Sequence, residues 1–518
     1  MPKHDTVIIG THFSGKGYKQ RNLFCETEKN RLFRIQLALL VTVVGLLFRA
    51  SASWAIPRLD LNHLLTRYDF ADAEIGYLLF DPSTGQPLET HRADELRIPA
   101  STTKVVTVIA ALEVLGADYR FETSLFVTGE VKARTLYGSV YLRGGGDPTL
   151  TTDDLHTFVA MLQQTGIAHI TGSFGFDESF LPSISQIDAQ QPMAAPYNPG
   201  LSALSINYNR IQLGWKRQPG PTLATTVLSP AAGRFVPVEE VGTDMLPLGF
   251  DRRIRFLYDG VGADRWLLSP TLPKEGKKLL PVKANPGRIT ALLFRTLCRQ
   301  HNIELPRPES ISIPTQARAL HIHRSEPLQS IIAGVLRYSN NLSAELIGQV
   351  TTRKLSNQPL SLLDSAIKLT EWYRRTLSET DWNGFVSANH SGLNSTSRHS
   401  PRQMASILRH GWTLTVGQSS FPALLPPFSW QSEENHLKTE VKVKTGTMNY
   451  ADGLVGFLTT TRGRQLGFAI MLTDFVSRAE LDATLDARFA QTSPSARSWT
   501  ERAKAIEQEL LTSWIERY

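Results

Sequence analysis

The sequence predicts an α+β protein in which an antiparallel sheet flanked by helices is interrupted by a β-rich insert. Three observations carry this. Residues 101–115 read as a helix that is apolar nearly all round, which belongs in the middle of a domain. From about 120 to 284 the pattern changes to short strands between turns, and from Pro286 long helical stretches return, followed by three strand-like runs. At 518 residues the chain exceeds what one core usually organises. The expected division is a leader at 1–55, a main body at 56–119 and 285–518, and the insert at 120–284.

Arg31 and Arg34 precede the apolar run Ile35–Phe48, and the small residues Ala50, Ser51, Ala52 and Ser53 follow it. A positive flank, an apolar segment and a small-residue exit predict a signal peptide over about 31–55 and an exported, periplasmic protein. At fourteen residues this run is short for a membrane span of roughly 20. The formal charge of +7 sits mostly in this leader, which holds eight Lys/Arg against three acids; the remainder carries 47 against 45. No concentrated basic face remains to bind nucleic acid. Loss of Cys25 with the leader would leave Cys298 alone, with no partner for an internal disulfide.

Glu74–Phe80 and Gln86–His91 flank the turn former Asp81-Pro82-Ser83-Thr84-Gly85 and read as a hairpin. The insert shows strands near Ser124–Val127, Gly138–Leu142, Thr171–Phe176, Leu204–Leu213, Arg253–Tyr258 and Asp264–Leu268, with one helix near 152–165. Helices follow at about 286–301, 326–353 and 361–378, then strands at 440–446, 452–460 and 464–473. The tail places Trp499, Ala503, Ile506, Leu510 and Trp514 at helical spacing. That stripe suits packing on the sheet, with peripheral membrane contact as the alternative.

Ser101-Thr102-Thr103-Lys104 is an S-x-x-K sequence at the start of the apolar helix. Residues three apart on a helix share a face, so the Lys104 amine can reach the Ser101 hydroxyl and take its proton once its surroundings favour the neutral form. The helix N-terminus offers N–H groups to a developing oxyanion. The tetrapeptide is weak evidence alone, because Ser365-Ala366-Ile367-Lys368 repeats the spacing in an ordinary amphipathic helix. Ser339-Asn340-Asn341 is an S-x-N sequence of a kind that also occurs at Ser205–Asn207 and Ser387–Asn389. Lys444-Thr445-Gly446-Thr447 ends an alternating strand, where glycine admits a close ligand backbone and the threonine hydroxyls and lysine could hold a carboxylate. No H-E-x-x-H or G-x-S-x-G is present, and His321 and His323 read as an exposed pair on a strand, not as half a metal site.

S-x-x-K, S-x-N and K-T-G in this order form the signature of the penicillin-recognising serine peptidases and β-lactamases. The 238 positions between Ser101 and Ser339 exceed what a class A β-lactamase needs, and the β-rich insert fills that gap. The chain resembles the class C low-molecular-mass penicillin-binding proteins, the D-alanyl-D-alanine carboxypeptidase/endopeptidase family. Arg143-Gly144-Gly145-Gly146-Asp147-Pro148-Thr149-Leu150, the run from Ser339 to Glu345, and Lys444-Thr445-Gly446-Thr447-Met448 through Gly456-Phe457 carry the likeness, which spans about 57–475. Two stretches depart from it. Asn389-His390-Ser391-Gly392-Leu393-Asn394 lacks the acid that usually opens this stretch, and Met193–Ser202 lacks the Trp and Asp that some relatives place near the site.

The resemblance implies a transpeptidase/β-lactamase-like catalytic domain at 56–119 and 285–518 and a Ser101 acyl-enzyme formed on D-Ala-D-Ala. Lys104 is then the expected base, with Lys444 as the alternative. Ser339 would relay a proton to the leaving amine, Asn341 would hold the substrate amide, and Lys444 would keep the site positive. Thr445, Gly446 and Thr447 would receive the terminal carboxylate, and the N–H groups of Ser101 and Thr447 would form the oxyanion hole. Its implied partners are peptidoglycan stem peptides and β-lactams, with no cofactor or metal. A β-lactamase or esterase on the same core, a cross-link endopeptidase and a non-catalytic wall-binding scaffold are the other readings.

Overall fold

The computed structural model describes residues 58–518 apart from 220–222, 232–233, 248, 431–438 and 490–492. The expected leader and Cys25 lie outside the described residues. Residues 58–518 form one compact unit, and among the described residues no helix is long and apolar enough to cross a membrane.

At its centre lies a five-stranded antiparallel sheet in the order Pro87–His91, Ile75–Phe80, Gln465–Thr473, Ala451–Thr459, Val441–Met448. Successive side chains of a strand point to opposite faces. Leu78 and Phe80 accordingly enter one core, and Ile75, Tyr77 and Leu79 enter another. Both faces are covered, which is why the strands read as continuous apolar runs.

On the first face lies the helix Thr103–Leu115, ten of whose thirteen residues are buried. It is surrounded by Leu328–Tyr338, Asn341–Ser356, Leu362–Thr376 and Pro401–Thr413. Leu61–Tyr68 and the terminal helix Pro494–Arg517 cover the second face. Trp499, Ala503, Ile506, Leu510 and Trp514 are all buried there, so the amphipathic stripe packs on the sheet and is not free to lie on a membrane.

The stretch expected as one helix over 326–353 is two, Leu328–Tyr338 and Asn341–Ser356. Ser339 breaks it in the left-handed region at φ 54°, and the Asn340 side chain caps the second helix by accepting the Ser343 N–H at 3.0 Å. Ser339 is thereby presented at the junction of two helix ends.

The insert has its own core, which extends beyond residue 284. The helix Pro286–Gln300, expected in the main body, buries Ile289, Leu292, Phe294 and Leu297 against Phe158 and Phe174 of the insert. Pro308–Ser310 pairs with Phe174–Asp177, and Arg318–Arg324 pairs with Glu122–Val127, both in the insert's main sheet. The return to the central sheet's helices therefore follows Arg324. His321 and His323, expected as exposed, are half-buried. His321 sits edge-on to Phe158, and His323 lies 3.5 Å from the Asp147 carboxylate, which holds its pKa above the ordinary value.

Two buried histidines tie loops to the first core. His390 pairs its Nε2 with the Ser365 hydroxyl at 2.7 Å, and His399 pairs its Nε2 with the Ser387 hydroxyl at 2.9 Å. Burial pushes both imidazoles down to about 3. In the unfolded chain each is protonated below about pH 6.5, whereas in the fold each stays neutral until about pH 3. Their contribution to stability is complete above the unfolded value and is lost as pH falls through that window, by about 4 kcal/mol for the two at pH 5. Denaturant unfolding between pH 7 and 5 should therefore show a steeper loss in the wild type than in a His390→Gln, His399→Gln double variant; equal slopes would remove these residues as the cause. Trp514→Ala should cost about 3–5 kcal/mol in the same assay, as for other buried Trp truncations, and a loss under 1 kcal/mol would mean that the terminal helix does not support the sheet.

Candidate active site

Ser101 lies in a 3-10 turn, Ala100–Thr102, that leads directly into the helix Thr103–Leu115. The strand Val441–Met448 rests against this turn. A Cβ at Gly446 would stand 2.7 Å from the Pro99 carbonyl oxygen and 2.9 Å from the Ser101 nitrogen, so only glycine permits the approach. Gly392 meets the other side with φ +72°, where a Cβ would collide with the Ala100 carbonyl. The Ser101 turn is thus clamped between two glycine contacts.

One helical turn on, Lys104 is fully buried. Its Nζ lies 2.9 Å from Ser101 Oγ, 2.7 Å from Asn341 Oδ1 and 2.7 Å from the Ser391 carbonyl oxygen. Burial holds its pKa well below the ordinary lysine value, and the charge of Lys444 adds to this, while Glu345 opposes it. The Asn341 amide is oriented by Nδ2 donating to the Tyr197 carbonyl at 3.0 Å, which leaves Oδ1 toward the lysine. Asn341 Oδ1 and the Ser391 carbonyl can only accept. A neutral amine therefore spends its two hydrogens on them and turns its lone pair toward the Ser101 hydroxyl.

The Ser391 carbonyl is itself held in place. Glu345, fully buried on the helix Asn341–Ser356, accepts the backbone N–H groups of His390 at 3.0 Å and Ser391 at 2.9 Å. Asn389 accepts the Gly392 N–H at 2.9 Å, so an asparagine amide closes this turn. Thr107 Oγ1 donates to the His390 carbonyl at 2.8 Å.

Lys444 is almost completely buried, with its Nζ donating to the Thr445 carbonyl at 2.6 Å, and burial pushes its pKa down to about 8. Its strand is the outer edge of the sheet. At the start of that edge the Val443 N–H points outward to the Pro426 carbonyl at 2.9 Å. Backbone groups alternate with period two along a strand, so the N–H groups of Thr445 and Thr447 point out of the same edge. The Thr447 hydroxyl donates to Asp452 Oδ1 at 2.6 Å.

Ser101, Ser339, Asn341 and Thr447 line one open cavity of about 380 Å3, together with Gln191 and Tyr197 of the insert. Lys104, Lys444 and Gly446 are buried behind its wall. Thr445 lines the neighbouring cavity, of about 420 Å3. Sequence reasoning gave no role to Glu345, Tyr197, Gln191 or Ser365. Glu345 carries a signal in hindsight, a carboxylate on a helix that is buried over its first twelve residues. Ser365, whose tetrapeptide copies the S-x-x-K spacing, serves as partner of the buried His390 ring. Gln191 donates to the Leu393 carbonyl at 3.1 Å, bridging the insert to the Ser391 loop.

The sequence matches the model of the D-Ala-D-Ala carboxypeptidase 3 (S13) family over residues 58–491. It is 24% identical over 443 residues to a D-alanyl-D-alanine carboxypeptidase of Actinomadura sp. (strain R39), covering 80% of each chain. It is 22% identical over 458 residues to D-alanyl-D-alanine carboxypeptidase DacB of Haemophilus influenzae, covering 83% of this chain and 91% of that one. The crystal structure of Haemophilus influenzae penicillin binding protein 4 superposes with a TM-score of 0.69 at 19% identity, covering 88% of this chain and 99% of the other. That protein has also been solved in complex with a β-lactam, with a TM-score of 0.65 to this chain. By the match over most of its length, this chain belongs to the D-Ala-D-Ala carboxypeptidase 3 (S13) family.

Proposed function

We propose that this chain is an exported serine D,D-peptidase of the periplasm that cleaves D-Ala-D-Ala ends of peptidoglycan stem peptides through a Ser101 acyl-enzyme. The observation that carries the reading is the Lys104 amine, fully buried, flanked by two acceptors and 2.9 Å from Ser101 Oγ. Ser101 Oγ attacks the penultimate D-Ala carbonyl carbon as its proton passes to Lys104 Nζ. The oxyanion is received by the N–H groups of Ser101 and Thr447, at a turn opening a helix and on a free strand edge. The C–N bond then breaks, Ser339 relays a proton to the departing amine, and water hydrolyses the ester. Asn341 holds the substrate amide, and Thr447 binds the terminal carboxylate beside charged Lys444. A β-lactam carries a carboxylate near its reactive carbonyl and acylates the same serine. Cleavage of D-Ala-diaminopimelate cross-links would use the same chemistry with a larger leaving group.

Incubation with benzylpenicillin should add its mass to the Ser101 peptide, and Ser101→Ala should remove both the adduct and D-Ala release, by roughly 10⁴-fold or more. Folded wild-type protein that gains no adduct would sink the reading. The pH profile supplies an independent check. Acylation should rise with pH as Lys104 loses its proton and fall again near 8, where Lys444 discharges. Lys444→Gln removes a positive charge that depresses Lys104, so the acid limb of kcat/KM should move to higher pH. An unmoved acid limb would mean that another group is the base.

A further inference from the structure

Thr447 does not stand alone on its strand edge. Its cross-strand neighbour is Asp452, and the hydroxyl donates to Asp452 Oδ1 at 2.6 Å. Among the described residues, Asp452 is 2% exposed with its second oxygen, Oδ2, buried and without a hydrogen-bond partner. Facing the same cavity from the terminal helix is Glu507, 3% exposed, whose Oε1 is likewise buried and unpaired among those residues. Lys504, one turn before Glu507, and Arg337 of the helix Leu328–Tyr338 line this cavity too. On its other side Asp452 faces Leu472, which is apolar. Two buried carboxyls with free oxygens cannot both be ionised without a large cost.

We propose that Asp452 and Glu507 are positioning residues that hold a proton between them beneath Thr447 and so decide whether its hydroxyl can donate to the substrate's carboxylate. The inference rests on the reading of Thr447 as a carboxylate-binding residue. With Asp452 protonated, its acid O–H donates to Thr447 Oγ1, and the threonine hydrogen is free for the ligand carboxylate. With Asp452 ionised, Thr447 must donate to Asp452, so only its lone pairs face the ligand, and a second negative charge lies behind them. No covalent bond changes; one proton moves between the pair and solvent. Burial raises both carboxyls, Asp452 to about 7, and the negative charge of Asp452 adds to the rise of Glu507; Lys504 opposes it and is outweighed. Binding of carboxylate ligands should therefore weaken as pH rises through neutrality, ahead of the Lys444 discharge.

The test is the ratio of acylation rate constants for benzylpenicillin and its methyl ester, measured from about pH 5.5 to 7.5. Forming the ester removes the carboxylate and leaves the reactive ring. In the wild type the ratio should fall about fourfold across this range, because the protonated share of a carboxyl titrating at about 7 drops from nearly all to about a quarter. Asp452→Asn should make the ratio flat with pH, and Glu507→Gln should leave the fall in place, because Asp452 ionises while Glu507 still holds its proton. Retention of the wild-type step in Asp452→Asn overturns the inference, as does a flat ratio in the wild type, which needs no variant to fold. Thr447→Val separates the two levels of argument. If it leaves the ratio unchanged, the carboxylate reading of Thr447 fails; if it collapses the ratio while Asp452→Asn keeps the step, the proton-sharing inference fails alone.

Discussion

A fully buried primary amine beside a second lysine is the constraint from which most of this molecule follows. Desolvation pushes the Lys104 pKa well below the ordinary lysine value, but an amine with unsatisfied hydrogens would be costly as well. The fold answers by bringing two acceptors from different segments, the Asn341 side chain and the Ser391 carbonyl. Each acceptor needs its own support. Asn341 is aimed by the Tyr197 carbonyl, and Ser391 by the Glu345 carboxylate through two backbone N–H groups. Helices, loop and insert are thus ordered around one nitrogen atom.

The insert is a participant in that order. Its own core is separate, yet Tyr197 and Gln191 form part of the cavity wall and bond to Asn341 and to the Leu393 carbonyl. A shift of the insert loop would rotate the Asn341 amide and withdraw an acceptor from Lys104. The position of Tyr197 and the surroundings of the Lys104 amine are consequently coupled through a single side-chain amide. Asn389 shows how tolerant the rest can be: the turn needs an acceptor for the Gly392 N–H, and a neutral amide supplies it as well as a carboxylate.

Much of this was legible in the residues, unevenly. Helix 101–115 and the last three strands were found within about two residues, because apolar runs with turn residues at both ends specify both type and extent. Three chemical motifs in a fixed order pointed to one cavity, and Ser101, Ser339, Asn341 and Thr447 do line one. What failed was anything that depends on the far partner. The stripe of helix Pro286–Gln300 says that one face is buried but not that it meets Phe158 and Phe174. The break at Ser339 leaves the apolar periodicity on both sides almost intact, so it read as one helix. Glu345 and Asp452 are carboxylates at buried positions, and only their three-dimensional surroundings show what they hold.

The pairing of Ile75–Phe80 with Gln465–Thr473 has a further consequence, for the order in which the chain can assemble. Nearly four hundred residues separate these neighbours, so the second strand of the sheet must wait, unpaired on one side, until almost the whole polypeptide has emerged. The segment from about 120 to 324 suffers no such delay, since its main sheet and both of its helices lie within it. During synthesis that segment can become a finished body while the helix Thr103–Leu115 beside it still lacks its floor. Late ring closure of this kind makes folding slow and leaves apolar strands exposed for longer. It also means that a truncated or stalled chain displays a folded insert while Ser101 still lacks the strand that rests against its turn.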